Sequence, residues 1–188
     1  MAGSSIMDAN EARPIIRVAR PDEYTAIGEL TVDVYVGEGH IDPASAYVPE
    51  LRDTARRAPL AEVLVAEYRG QVVGSLTIAA PGTPYAETAR PDELEFRMLA
   101  VAKAARGLGV GTALVRTVID RAIAESYAAV MITTMPTMTD AMRIYERFGF
   151  VRVPERDWIT DAGNRLPVLR LDLAANAERI AENVWRAR

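Results

Sequence analysis

The sequence contains no cysteine and only one histidine, His40, among its 188 residues. A disulfide scaffold, a thiolate-zinc site and a cysteine nucleophile are therefore excluded, as is any metal site built on several histidines. No run of about 18 apolar residues is present to span a bilayer. The first seven residues, Met1 to Met7, lack the basic start and apolar stretch of a secretory signal, so cytoplasm is the expected location. Charge of one sign is not in excess either. Lysine and arginine number 22 against 26 acids, a net charge of -4, which gives no general pull toward DNA, RNA or anionic lipid. Paired basic residues such as Arg56-Arg57 have acids nearby and read as solvated helix faces. Neither a nucleic-acid partner nor a membrane partner is expected, and no metal site. Internal repeats are absent too.

What remains is an ordinary globular composition, 49% hydrophobic and 26% charged, in a chain sized for one core. Residues 1–12 are short, small and polar and read as a flexible leader. Residues 13–173 form the domain, and 174–188 a helical tail that packs on the body or on a second subunit, so that a homodimer is left open. Within the domain, a first strand at 14–18 precedes a helix from Pro21 to about Val36, opened by proline and acids and stopped by Gly37 and Gly39. A second helical segment covers 49–58. Residues 61–67 and 71–78 are β-rich and flank Arg69-Gly70, which makes a hairpin. A long loop from Pro81 to Pro91 leads to a strand at 93–101. The clearest helix is 110–126, with Val110, Leu114, Val115, Val118, Ile119, Ala122 and Ile123 on its apolar face. Residues 128–133 lack alternation and read as a strand buried on both faces. A helix at 140–148 ends at Gly149, and 151–153 pairs with 169–173 across a turn near 161–164. The fold class is α/β in the α+β sense: a single domain with a mixed, mostly antiparallel sheet flanked by helices.

The segment Arg106-Gly107-Leu108-Gly109-Val110-Gly111-Thr112 sits between a strand and the strongest helix. Glycines there let the backbone approach a ligand, and the unsatisfied N–H groups of a helix start attract a phosphate or pyrophosphate. A P-loop requires Lys-Ser/Thr after its last glycine, and Thr112-Ala113 stands there instead. The dinucleotide fingerprint requires a glycine where Thr112 lies. A plain glycine-rich strand–helix connection is the alternative to a binding loop.

Arg106, Gly109 and Gly111 match Arg/Gln-x-x-Gly-x-Gly/Ala, and Ala141-Met142-Arg143-Ile144-Tyr145-Glu146-Arg147-Phe148-Gly149-Phe150 matches Ala-x-x-x-Tyr-x-x-x-Gly-Phe. On these two motifs, about 60 residues from Glu93 to Phe150, the chain resembles the GNAT superfamily of N-acetyltransferases. The resemblance implies acetyl-CoA as co-substrate, a pyrophosphate cradle at 106–112, and a pantetheine arm paired with the backbone of Leu99, Ala100 and Val101. It also implies that Tyr145 is the general acid at the departing thiolate and that Glu95, four residues before Leu99, takes the proton of the attacking amine. A main-chain N–H of Leu99 or Val101 polarises the thioester carbonyl in this reading. Glu93 is the alternative carboxylate, because strand alternation places it on the same face. Met138 departs from the family, which often has asparagine seven residues before the motif tyrosine.

His40 reads as an exposed loop residue. Tyr35, Tyr47, Tyr85, Met135 and Trp158 are candidate acceptor-pocket residues, and Asp157 is a candidate for holding an amine's charge. The expected reaction is acetyl transfer from acetyl-CoA to a primary amine of a small molecule or peptide, in a ternary complex. The alternative from another class is an idle GNAT-fold module that binds acyl-CoA as a sensor or assembly partner.

Overall fold

A computed structural model of the chain describes residues 13–160 and 163–185. The leader at 1–12 lies outside the described residues, as does part of the turn near 161–164. Seven strands form one sheet in the order β1-β2-β3-β4-β5-β9-β6. They are β1 (Ile15–Val18), β2 (Glu62–Tyr68), β3 (Gln71–Ala79), β4 (Glu93–Val101), β5 (Ala129–Thr133), β6 (Val151–Arg152) and β9 (Val168–Asp172). Every pairing is antiparallel except β4 with β5. The short β7 (Trp158–Ile159) and β8 (Arg165–Leu166) form a separate hairpin between β6 and β9.

Two layers of helix cover the sheet. On one face lie α4 (Val110–Ala124) and α5 (Thr139–Phe148), with α6 (Ala177–Trp185) beside α5. Leu64, Leu76, Phe96, Val118, Phe148 and Leu171 are among the residues that make this core. The other face carries α1 (Tyr24–Tyr35), α2 (Val48–Arg52) and α3 (Thr54–Arg57). Strand alternation serves both layers at once: Leu64 and Ala66 of β2 turn to α4, while Val63 and Val65 pack with Ile27 of α1.

The expected elements appear with three differences. The single helix expected at 49–58 is two, because Asp53 leaves the helical region (φ -84°, ψ 69°) and its carboxylate accepts from the Arg56 amide at 3.0 Å, capping α3. Ile123 is not on the buried face of α4 but 49% exposed. It lies five residues past Val118, about 140° round the helix at 100° per residue. The β7–β8 hairpin interrupts what read as one turn, although β6 and β9 do pair, with Val151 opposite Arg170. The tail helix packs on its own chain, since Ile180 is buried in the α4–α5 core and its carbonyl accepts from Arg116 at 2.8 Å.

Glu93 is a structural fastener. Its carboxylate accepts from Arg156 at 2.7 and 3.0 Å, from Arg170 at 3.0 Å and from the Arg90 amide at 3.0 Å. Burial pushes its pKa up, but the bonds from Arg156, the Arg90 amide and Arg170 outweigh that and hold it near 2. This carboxylate is thus no base, which removes it as the alternative to Glu95. Removing one partner of a buried ion pair costs about 3 to 5 kcal/mol. Glu93→Gln should lower stability toward urea by about 3 kcal/mol at pH 7. In the wild type this contribution is present above the ordinary carboxylate value of 4.5 and is lost as pH falls toward 2. The variant's stability should therefore be the flatter of the two across that window.

Candidate active site

The site forms where β4 parts from β5. Only Glu93, Leu94 and Glu95 of β4 pair with β5, opposite Ala129, Val130 and Met131, although β4 runs on to Val101. The cause is a bulge. Met98 sits at φ 56°, and the β3–β4 register slips between Ser75 and Thr77. A non-glycine residue in this region is uncommon and mildly strained, which commonly marks a functional constraint. The extra residue also inverts the strand's alternation. Leu94 and Phe96 face the α4 core before it, whereas Leu99 does so after it, and Met98 and Ala100 both face α1 and α2.

Beyond the parting lies a cleft of about 1000 Å³. Leu99 and Val101 line one wall; Arg106, Gly107, Gly109, Val110, Gly111 and Thr112 line another; the third is the start of α5. Ala100 is not on the cleft side, being packed with Val34 and Tyr35, and Leu108 is 42% exposed outside the lining. Gly109 is the N-cap of α4 at φ 76°, a conformation that disfavours any side chain, and no side chain caps the helix. Its first-turn N–H groups thus point into the cleft without intrahelical partners. At Gly111 a Cβ would lie 2.8 Å from Ile144 Cδ1, the tip of a side chain on α5 that would have to shift aside.

Arginines crowd this cleft. Arg106, Arg143 and Arg147 line it from two elements, with Arg147 donating to Thr112 Oγ1 at 3.0 Å. Arg106 is ion-paired with Glu38 from the loop after α1. His40, expected to be exposed, is instead 14% exposed at the side chain, its Nδ1 2.8 Å from Thr137 Oγ1 and its Nε2 3.7 Å from Glu38. The loop after α1 thus touches both lips. Met138 is buried with Val34, Leu51 and Met98 and forms part of the cleft lining, so an apolar thioether stands where the family often has an amide.

Glu95 is 2% exposed. Its Oε2 accepts from the Thr88 amide at 2.8 Å, the Ala89 amide at 3.0 Å and Thr88 Oγ1 at 3.1 Å. No described residue donates to Oε1. Burial pushes its pKa up against those bonds. Two carboxylates two residues apart on one strand face are thus driven in opposite directions, Glu93 down by arginines and Glu95 up by burial.

Tyr145 lies outside the cleft lining. Its ring is buried, 5.8 Å from Phe96 and 5.6 Å from Phe150, and no described residue bonds its hydroxyl. Burial drives its pKa well above the ordinary value near 10.

The remaining candidates divide. Tyr35, Tyr47 and Met135 gather in the apolar cluster under α1 and α2. Tyr47 and Tyr85 meet around Arg97, each ring centroid 5.9 Å from its guanidinium. Trp158 is 39% exposed on β7, apart from that cluster. Asp157 is not available to an amine, because Arg152, Arg165 and the Val168 amide hold its carboxylate. Arg97 went unnoticed in the sequence; an arginine in step with Glu93 and Glu95 inside an otherwise apolar strand was the available signal. Among the described residues no helix is long and apolar enough to cross a membrane, and no group of three potential ligands could hold a metal.

Comparison with known proteins follows the same lines. Residues 24–150 match the model of the acetyltransferase (GNAT) family. N-acetylaspartate synthetase of Danio rerio is 36% identical over 110 residues, 57% of this chain and 36% of that protein. The probable N-acetyltransferase camello of Xenopus tropicalis is 40% identical over 86 residues, 46% of this chain and 36% of that protein. The chain thus spans little more than a third of the curated relatives it matches. Among solved structures, an acetyltransferase of the GNAT family from Staphylococcus aureus Mu50 superposes with a TM-score of 0.67 at 16% identity, covering 85% of this chain and 99% of that one. The yncA protein of Salmonella typhimurium, solved with its cofactor acetyl-CoA, gives 0.63 at 21% identity over 85% and 94%. With its parted strands, its glycine-capped helix and a family match over most of its length, the chain belongs to the GNAT acetyltransferase family.

Proposed function

We propose that the protein transfers an acetyl group from acetyl-CoA to a primary amine of a small molecule or peptide, by direct attack in a ternary complex. The observation that carries this reading is the uncapped first turn of α4 beside the unpaired edge of β4, in a cleft lined by three arginines. Leu99 and Val101 offer main-chain groups to an extended amide-bearing arm, while the N–H groups of 110–112 and nearby guanidiniums suit a pyrophosphate. Acetyl-CoA supplies the activated acyl group when bound.

The chain's own groups then divide the proton traffic. Glu95 Oε1 accepts a proton from the amine, and its raised pKa brings it nearer the range of an effective base. Attack on the carbonyl and breakage of the carbon–sulfur bond leave charge on sulfur, to which the Tyr145 hydroxyl donates a hydrogen bond. Full transfer from this phenol is uphill, because its pKa exceeds that of a thiol, about 8.5, and burial widens the gap. Hydrogen-bond donation replaces outright proton delivery, and solvent restores the thiol proton on release. The unbonded Oε1 and the unbonded phenol favour an enzyme over an idle acyl-CoA sensor. Both positions would be easier to fill with apolar side chains if binding were the whole task.

Acetyl-CoA at a hundredfold excess over its dissociation constant should stabilise the fold by about 2.7 kcal/mol, read as a raised melting temperature. Desulfo-CoA should do the same. An unchanged melting temperature at millimolar acetyl-CoA would reject the reading.

A further inference from the structure

Among the described residues, several partly buried arginines are matched by carboxylates. Arg17 holds both Glu23 and Glu67, at 2.6 and 2.7 Å, and Arg156 and Arg170 share Glu93. Beneath α2 and α3 the balance fails. Arg57, 1% exposed, donates only to the Glu50 carbonyl at 2.8 Å and to Thr54 Oγ1 at 3.1 Å. No carboxylate of the described residues lies within ion-pair distance of it. Arg97, 12% exposed at the side chain, donates to the Tyr85 carbonyl at 3.0 Å and to the Tyr47 hydroxyl at 2.9 Å. Its one carboxylate partner is Glu87 at 3.1 Å. The Nε–H groups of Arg57 and Arg97 are both buried without an acceptor. The two charges also disfavour one another.

Such an excess of cation is expensive unless something answers it, since an isolated buried ion loses several kcal/mol of hydration. The present answer is removable. Glu87 is 37% exposed at its side chain and belongs to the long loop between β3 and β4. Arg97 also stands in a telling place. It is two residues beyond Glu95 on the same face of β4, about 6.8 Å along the strand, and one residue before the bulge that opens the cleft. A substrate reaching Glu95 meets this guanidinium between two tyrosine rings.

We infer that Arg97 is the anion-binding group of the acceptor site, and that the acceptor is an amine carrying a carboxylate a few bonds from its nitrogen. The inference rests on the acetyltransferase reading and narrows its substrate class. Glu87 holds the place of that carboxylate and gives way to it. The bidentate fork of Arg97 then takes the carboxylate, Tyr47 and Tyr85 flank it, and the amine extends toward Glu95 Oε1. A simple cationic amine has no such welcome, because the Arg97 guanidinium repels it while it is still protonated.

The test compares CoA release from the full chain with amino acids and dipeptides, each beside its own carboxamide. The carboxylates should exceed their amides by about 10²-fold in kcat/KM, the scale of losing one partner of a buried charge pair. Arg97→Gln should erase this preference, bringing kcat/KM for each carboxylate down to that of its own amide. Glu87→Gln, checked for folding by its melting temperature because it removes the one carboxylate on Arg97, should lower KM for the carboxylates alone. Equal use of acids and amides, no acetylation of any carboxylated amine, or an unaltered preference in Glu87→Gln would each overturn the inference. The failures are distinguishable. If acetyl-CoA does not stabilise the wild type, the parent reading falls, whereas normal stabilisation with an indifferent acceptor profile sinks only the carboxylate.

Discussion

Tyr145→Phe should lose about 10²- to 10³-fold in turnover, the usual range for one hydrogen-bond donor aimed at developing charge, without losing stability. The second half follows from the first site's own geometry. The phenol oxygen receives no bond from any described residue, and its ring is closely packed by Phe96 and Phe150. Its oxygen is not one of the fully buried, unpartnered polar atoms, so removing it breaks no bond within the protein and recovers little desolvation cost. A position that needed only packing would be served equally well by phenylalanine, and the variant should melt at about the same temperature. Acetyl-CoA affinity should hardly change, because the donor meets charge only as the carbon–sulfur bond breaks. The check is single-turnover kinetics beside calorimetry on the same sample. Wild-type turnover with chemistry limiting would remove Tyr145 from the mechanism; lower turnover with a lower melting temperature would make the tyrosine structural.

Glu95→Gln should show an effect of comparable size, about 10²- to 10⁴-fold for a positioned base, but shaped by pH. Burial holds the Glu95 pKa above the ordinary carboxylate range, so wild-type kcat/KM should climb as pH rises through that value. The glutamine variant should be most impaired at low pH, where nearly all of the amine is protonated, and should recover part of its rate at high pH. A loss that is uniform in pH would assign the carboxylate to binding instead. Stability moves the other way. A carboxyl whose folded pKa is raised favours the folded state below its unfolded pKa and loses that contribution as pH rises through the folded one. Once ionised, the carboxylate of Glu95 is thus a burden, and the glutamine oxygen can still accept from Thr88 and Ala89. The variant should be at least as stable as the wild type, in direct contrast with Glu93→Gln.

That contrast marks the limit of what residue patterns reveal. Strand β4, helix α4 and helix α5 were legible because their signals are local: period, proline, terminal glycine. Glu93 and Glu95 look alike in the sequence, separated by one leucine. Their difference comes from Arg156 and Arg170, 63 and 77 residues away, which bond to Glu93 alone and leave burial to dominate at Glu95. Asp157 read as a possible amine partner for the same reason, its arginines being invisible until the β7–β8 hairpin is folded. Ile123 was misplaced by a helix face drawn too wide. Arg97 escaped notice because a lone arginine in an apolar strand acquires meaning only when Tyr47 and Glu87 arrive from separate loops. The loop proposed to hold pyrophosphate is the opposite case, because its glycines serve a backbone shape that six neighbouring residues specify.

The parting of β4 from β5 has a mechanical side. Three paired positions, with the Ala128 amide bonded to the Asp92 carbonyl beside them, make up the strand pairing that joins β1–β4 to β5, β9 and β6. The sheet is in effect two leaves with a short spine, and the side chains of α4 and α5 bear what the missing rungs would have carried. An extended ligand lying along the free edge of β4 then acts as a temporary strand, bridging leaves that are otherwise coupled through side-chain packing. Occupancy of the site and rigidity of the whole sheet become one property, so the protein should be least able to breathe when it is loaded and most able when its product must leave.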